Sequence, residues 1–266
     1  MVGHLAGIDS KLKRAKKHIT DLKEATDAFR DSEPYELFTY DDADSGDLVV
    51  AVHVHGTLDP NLSALVGDAL NNLRSPLDYL LHELTGGKGN DHVSFPISQT
   101  EAGFKSNLKG LPRMDKRAMD MLRATNAYKG GSGHGFWQLH QVNRREKHRH
   151  VMPVGAALLS REELRMTRPT IPVGSSGPPR IFRIPFAVPT EVIFPLEEGT
   201  ILHRISAAER KRRPRDWSEV NVQNKFTFGV TFGENEILRG EPLVKTLADF
   251  YKLVDGTIKP FRPLLS

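Results

Sequence analysis

Apolar residues recur every three or four positions through the first part of the chain. One stripe over residues 5–29 and a second over residues 62–84 each predict a long amphipathic helix. Asp59 and Pro60 precede the second stripe as a typical N-cap and first helical residue. Pro76 lies within that stripe and has no amide hydrogen to donate, so we expect it to kink the second helix.

Residues 35–40 and 48–54 are rich in β-branched and aromatic side chains and flank an acidic turn, which predicts a β-hairpin. Two shorter helical patterns follow, near residues 114–121 and 136–147. Beyond residue 151 the pattern changes to β-strands, before a last helix over residues 242–255.

This order of elements predicts an α+β protein. We expect a helical region over residues 1–150 that carries the hairpin at 35–55, followed by a mostly antiparallel β region over residues 151–266 with the C-terminal helix. The two regions are either separate domains or parts of one continuous domain.

The composition excludes several classes of protein. The chain has 266 residues, of which 26% are charged, and no apolar run approaches the roughly 20 residues of a membrane span. We therefore expect a globular protein without a membrane partner and take the cytoplasm as its location. The absence of cysteine excludes disulfides, thiol nucleophiles and iron–sulfur clusters.

Charge is distributed in blocks. Residues 18–60 hold eleven carboxylates against two cationic side chains, whereas residues 1–17, 134–150 and 203–215 are each net positive. Basic blocks that converge would attract a polyanion such as RNA, and the alternative is that they are solvated faces that serve solubility.

The most unusual stretch is the end of the helix that begins near Phe136. Near one face of a helical wheel lie five polar residues, which makes a polar patch rather than a core stripe. These are His140, Asn143, Arg144, Lys147 and His148, with Arg145, Arg149 and His150 beside them. We expect this patch to bind a ligand. Alternatively, its cations only complement the negative end of the helix dipole.

The second long helix carries another polar stripe. Asn71, Arg74, Asp78 and His82 recur at three or four residues and therefore share one side, opposite the leucines. The simple interpretation is a row of exposed ion pairs. The alternative is that this side binds the same ligand as the patch at the end of the later helix.

Both stretches resemble a group of uncharacterised bacterial proteins. The resemblance rests on Leu70-Asn71-Asn72-Leu73-Arg74-Ser75-Pro76-Leu77-Asp78, on Phe95-Pro96-Ile97, and on Leu139 to Arg149, in which Leu139, Asn143 and Lys147-His148-Arg149 match a Leu-x-x-x-Asn-x-x-Asp-Lys-His-Arg pattern. It covers about the first 155 residues and implies no activity. The chain departs from the group at Glu146, where Asp is usual, and at Pro76, where Ala is common.

A second resemblance does imply an activity. Arg145 and His150 match the Arg-x4-His spacing of the HEPN superfamily of helical ribonucleases and nucleotide-binding proteins, and Arg144 with His150 matches its Arg-x5-His variant. The resemblance implies metal-independent RNA cleavage at the interface of a homodimer, with no cofactor. His148 or His150 would be the general base, and Arg144 or Arg145 would stabilise the phosphorane.

Two other hypotheses remain open. His53 and His55 lie on one face of a predicted strand with the spacing of metal ligands, and His148, His150, or His82 with Asp78, could supply further donors. We nevertheless expect no metal, because the chain has no tight cluster of ligands. A non-enzymatic interaction protein, whose polar helices form a buried network, is the alternative to a ligand-binding site.

Overall fold

The fold is that of a computed structural model, which describes residues 5–87, 93–148, 154–158, 165–167, 181–183, 196–212, 221–223, 228–233 and 237–265. In this part of the chain lie seven α-helices, which are α1 (Ala6–Asp31), α2 (Asn61–Leu84), α3 (Glu101–Lys109), α4 (Lys116–Ala124), α5 (His134–His148), α6 (Ala207–Arg212) and α7 (Leu243–Ile258). A short 3₁₀ helix, Lys259–Leu264, follows α7.

The described strands are short. They are β1 (Tyr35–Asp41), β2 (Leu48–Val54), β3 (Val154–Leu158), β4 (Arg165–Thr167), β5 (Ile181–Arg183), β6 (Ile201–Ile205), β7 (Asn221–Gln223) and β8 (Phe228–Phe232). They form antiparallel sheets in the orders β1-β2-β6 and β5-β4-β7, and β3 pairs with β8.

The chain divides into two compact units that interleave along the sequence. The helical unit comprises Met1–Ala25, Asp59–Val154 and Phe232–Ser266, and the β unit comprises Thr26–Leu58 and Gly155–Thr231. This division differs from the expected one at residue 150. The hairpin belongs to the β unit, and the C-terminal helix belongs to the helical unit.

Helix α2 is the centre of the helical unit, because it packs against both α5 and α7, which also contact each other. Half of its residues are buried, and six of its eight leucines are almost fully excluded from solvent. A helix that is buried on several sides needs apolar residues around most of its circumference, which explains the high leucine content of this segment. The leucine side chains of α2 therefore supply much of the apolar core of this unit.

The β unit is organised around the sheet β1-β2-β6. Its buried centre is formed by Val52, Leu196 and Leu202. Three aromatic rings pack edge to face beside them, with Tyr35 lying 4.7 Å from Phe228 and 6.0 Å from Phe29 between ring centroids. These geometries are the favourable ones for aromatic pairs, so the rings add specific contacts to a small apolar core.

The α+β class, the hairpin and the helices α1, α2, α4 and α5 are confirmed. Other elements were missed or differ. Helix α3 was not among the predicted elements, and its first turn is capped by the Thr100 hydroxyl, which accepts from the Gly103 amide. The last helix was expected over residues 242–255, but α7 continues through Gly256 to Ile258. None of the described helices is long and apolar enough to cross a membrane.

Two glycines provide a test of this backbone. Gly256 lies inside α7 with nothing within 4 Å of an added Cβ, whereas a Cβ on Gly133 would meet the Thr125 carbonyl oxygen. We expect Gly256→Ala to stabilise the protein by about 0.5–1 kcal/mol, the usual gain at a helix interior. Gly133→Ala should destabilise it by more than about 1 kcal/mol, because the backbone must move. Urea unfolding of the two variants measures both effects, and a neutral or destabilising Gly256→Ala would contradict the continuation of α7.

Candidate functional site

The candidate site lies where α2 and α5 pack against each other. Arg74 of α2 donates from Nε to Nδ1 of His140 on α5 at 3.4 Å. The Nη1 atom of Arg74 lies 2.7 Å from Oδ1 of Asp78, one turn further along α2. The Arg74 side chain is only 6% exposed, whereas that of Asp78 is 38% exposed. The guanidinium is thus held inside the unit by an imidazole and by a carboxylate that reaches solvent.

Asp78 has a second partner from a distant part of the chain. The backbone amide of Phe95 donates to Oδ1 of Asp78 at 2.9 Å. The ring of Phe95 packs against that of Phe136, with 5.8 Å between the centroids. The Phe95-Pro96-Ile97 segment therefore links the polar contact to the apolar core at the start of α5.

These contacts also establish the directions of the two helices. Asp78 lies one turn after Arg74, whereas Phe136 lies one turn before His140, and Phe95 contacts both. This indicates that α2 and α5 run in opposite directions. His82 and His148 therefore lie two turns from the Arg74–His140 contact in opposite directions, about 12 Å along the axis in each case.

Burial determines the protonation of His140. Loss of solvation, together with the positive charges of Arg74 and Arg144, lowers the pKa of His140 to about 4, although the Asp78 carboxylate opposes this. The ring is therefore neutral at pH 7. Because a guanidinium only donates hydrogen bonds, Nδ1 must be the accepting nitrogen, and the proton of the neutral ring lies on Nε2. His140 can donate a hydrogen bond from Nε2 without being charged.

Three buried polar atoms on α2 and α5 have no aligned hydrogen-bond partner in the described part of the chain. They are Nη1 of Arg74, which has only its ion pair with Asp78, Oδ1 of Asn72, and Oδ1 of Asn143, whose residue is 5% exposed. Asn143 follows His140 by three residues and so lies on the same face of α5. Such atoms are rare in native proteins, and a bound water, ion or ligand is a common reason for them.

The other predicted site residues differ in their exposure, and the side chains of some lie outside the described residues. Asn71 is half-buried, and His82 is exposed, with its ring against Gly87. Arg144 and Arg145 are exposed on α5. Lys147 and His148 belong to the last turn of α5, but their side chains lie outside the described residues, as do Arg149 and His150 entirely.

One of the two interpretations of the stripe on α2 was a row of exposed ion pairs, and Arg74 does not fit it, because its side chain is buried. The neighbouring Asn72 was not predicted as a site residue, yet it is 4% exposed, and its Nδ2 donates to the Asp68 carbonyl oxygen at 2.7 Å. Helical spacing alone could not reveal this, since burial depends on which neighbours cover each side of α2.

The basic block at residues 203–215 has partners within the β unit. Arg204 donates to Oδ2 of Asp42 at 2.6 Å, and Arg210 donates to Oδ1 of Asp41 at 2.5 Å and to the Gly46 carbonyl oxygen at 3.0 Å. The hydrogen bond from Arg204 holds the pKa of the Asp42 carboxyl at about 2. These two arginines therefore pair with two of the four carboxylates at the hairpin turn, and less of their charge is left for a polyanion than the sequence predicted.

His53 on β2 and His55 just after it are bound to carboxylates. His53 Nδ1 lies 2.8 Å from Oε1 of Glu198, and His55 Nε2 lies 2.9 Å from Oε2 of Glu36. Within the residues that the structure describes, no group of three or more histidine or carboxylate side chains is placed to hold a metal ion.

Comparison with known proteins shows no relative: no family model, no curated protein and no solved structure matches this chain. The function proposed for the chain therefore rests on its α+β architecture and on the Arg74–Asp78–His140 cluster. The resemblances to the bacterial group and to the HEPN superfamily stay predictions.

The low pKa of His140 makes stability depend on pH. Its pKa in the unfolded chain is near 6.5, and in the folded protein it is about 4. Between these values the unfolded chain binds more protons, so the free energy of unfolding should fall as the pH falls from about 6.5 toward 4. Since each pKa unit is worth about 1.4 kcal/mol and the ring is partly exposed, we expect a loss of about 2 kcal/mol.

Urea unfolding of the wild type and of His140→Gln between pH 7 and pH 4.5 measures this effect. The glutamine variant has no titrating group at position 140, so its stability should fall less steeply over the same interval. Equal slopes for the two proteins would show that His140 is not held neutral by its surroundings.

Proposed function

We propose that the helical unit binds a phosphate-bearing ligand, RNA or a nucleotide, on α5 beside the Arg74–His140 contact. The observation that supports this most is the imbalance of charge around His140. Two guanidinium groups, Arg74 and Arg144, act on the ring against the single carboxylate of Asp78. A partly buried group surrounded by more positive than negative charge favours the approach of an anion.

Each residue of the cluster has a role in this proposal. Arg144 is exposed and presents the planar donors that suit a phosphate. His140 donates from Nε2 without carrying a charge, and Asn143 Oδ1 accepts from a hydroxyl or amino group of the ligand. Arg74 does not reach the ligand but fixes the tautomer of His140. The sequence that follows, Lys147-His148-Arg149-His150, adds further cations.

The HEPN resemblance extends the proposal to catalysis. His140 is a poor general base, because the accepting nitrogen of its neutral ring is already bonded to Arg74. A general base for the ribose 2′-hydroxyl must then come from His148 or His150, with Arg144 or Arg145 stabilising the phosphorane. The same resemblance implies a homodimer and no metal ion or other cofactor.

Phosphate binding can be measured on His140 itself. An anion beside the ring stabilises the imidazolium, so inorganic phosphate should raise the pKa of His140 above about 4, with a roughly tenfold increase in proton affinity. The imidazole ¹⁵N shifts in pH titrations with and without phosphate report this pKa. Arg144→Gln should abolish the effect of phosphate, whereas Arg113→Gln, which replaces another exposed arginine, should not.

An RNA oligonucleotide should then shift the same resonances, with an affinity that falls as salt is added, because each phosphate contact releases counterions. A His140 pKa that is the same with and without phosphate would contradict the proposed site.

Catalysis is tested separately. We expect purified protein to cleave single-stranded RNA in the presence of a chelator, and His150→Ala to abolish the cleavage. The unfolding midpoint of that variant should change little if the imidazole is catalytic rather than structural, since lost structural hydrogen bonds would cost about 1–3 kcal/mol. Cleavage that requires added Zn²⁺ or Mn²⁺ would instead indicate a metal-activated water. An inactive wild type would remove the enzymatic part of the proposal and leave binding in place.

One observation favours a second candidate, a non-enzymatic interaction protein. The guanidinium of Arg74 is nearly excluded from solvent, and its contacts with Asp78 and His140 all lie within the unit. Such a network can fix the register of two helices without any ligand. If phosphate leaves the His140 pKa unchanged and RNA is not cleaved, this second candidate is the better account of the cluster.

A further inference from the structure

One face of the sheet β1-β2-β6 exposes an unusual set of large apolar side chains. In the described residues, four such side chains are more than a third exposed, at 37% for Phe38, 39% for Tyr40, 42% for Tyr79 and 39% for Ile201. Phe38, Tyr40 and Ile201 belong to this one sheet, on β1 and β6. Single exposed apolar residues are normal, but their concentration on one face indicates a contact surface.

Strand register shows how these side chains are arranged. Phe38 pairs with Ala51 on β2, and Ala51 pairs with Ile201 on β6. Side chains that are directly opposite share a face of a sheet, so the small Ala51 lies between two larger apolar groups. Ala51 itself is fully buried, so Phe38 and Ile201 carry the exposed apolar surface, which forms a patch on this face. Tyr40 extends this patch, since its ring stacks on Phe38 at 5.9 Å and 25°.

Carboxylates lie at both ends of this apolar patch. At one end lie Glu36, with 67% of its side chain exposed, and Glu198, with 58% exposed. At the other end lie Asp41 and Asp42 of the hairpin turn, which carry two arginines as partners. The turn adds Asp44 and Asp47, and Glu197 precedes Glu198 in sequence. Seven carboxylates thus exceed the four cations of the adjoining elements, which are Arg204 on β6 and Arg210, Lys211 and Arg212 on α6, so the surface is net negative.

We propose that this aromatic and acidic sheet face binds a cationic segment of a partner protein. Lysine or arginine side chains of the partner lie over the rings of Phe38 and Tyr40, and their charged ends reach Glu36, Glu198 or the hairpin carboxylates. Aromatic faces attract cations through their quadrupoles, and this attraction is stronger where water is excluded. Aliphatic side chains of the same segment pack against Phe38 and Ile201.

The negative charge of the surface favours a cationic protein segment over nucleic acid as the partner. Aromatic rings on a sheet also stack with nucleic acid bases, but proteins that use them in this way surround the rings with positive charge. Here the carboxylates would repel a phosphate backbone. A second copy of this chain could supply cations from the basic residues of α1, and its oligomeric state in solution distinguishes that occupant. The inference concerns the β unit and is independent of the proposed phosphate site on α5.

The test uses the full chain and a fluorescein-labelled heptapeptide of alternating lysine and leucine. Fluorescence anisotropy should show binding of this peptide and no binding of the matching glutamate and leucine peptide. The double variant Phe38→Ala with Tyr40→Ala should weaken binding about tenfold, because two ring contacts are lost. Glu36→Gln with Glu198→Gln should weaken it by a similar factor and reduce its dependence on salt.

Matched control variants distinguish binding at this sheet face from nonspecific binding elsewhere on the protein. Tyr79→Ala removes an exposed aromatic ring that lies on α2, and Glu24→Gln removes an exposed carboxylate of α1. Neither variant should change the affinity. Circular dichroism shows whether each variant keeps its fold, and since the replaced side chains are partly exposed, we expect that it does.

Three outcomes would overturn the proposal. Peptide binding that is the same in the wild type and in the Phe38→Ala, Tyr40→Ala variant would place the binding elsewhere. Sedimentation velocity that shows an oligomer, converted to monomer by that variant, would make a second copy the occupant. An RNA oligonucleotide that displaces the peptide from this face would show that its charge does not exclude nucleic acid.

Discussion

The helical unit depends on how a guanidinium is kept out of water. Removing Arg74 from solvent is costly unless its charge and its donors are compensated, and the compensation comes from Asp78 and His140. These partners fix more than one side chain. Asp78 holds the Phe95 amide, and His140 must stay neutral and in one tautomer. The position of α5 against α2 and the chemistry of His140 are thus consequences of one buried charge.

The two units differ in where their interacting charged groups lie. In the helical unit a few polar groups are buried, and each affects the protonation or orientation of the next. In the β unit the ion pairs of Asp41, Asp42, Glu36 and Glu198 lie at the surface, where solvent screens them and each is worth little. Their effect is collective, because together they set the sign of the surface potential around the exposed rings.

Local patterns predicted much of the fold. The stripes of α1, α2 and α5 and the alternation of β1 and β2 are properties of neighbouring residues, so they could be seen in the sequence. Helix α3 was missed although Thr100 is a typical N-cap and Phe104 and Leu108 repeat at four residues. The burial of Arg74 could not be predicted, since it depends on the packing of α5, which lies far along the chain. The Phe95–Asp78 bond joins residues 17 apart through a loop, and no helical spacing indicates it.

The order of segments along the chain has a consequence for synthesis. Helix α7 packs against α2 and α5, but it follows the last strand of the β unit in the sequence. During synthesis on a ribosome, the apolar surfaces of α2 and α5 would therefore stay exposed to solvent until the whole β unit has been translated and α7 can pack on them. Contacts between segments so far apart slow folding, and exposed leucine surfaces are where aggregation begins. The interleaved chain thus makes the nascent protein a candidate client for chaperones that bind apolar segments.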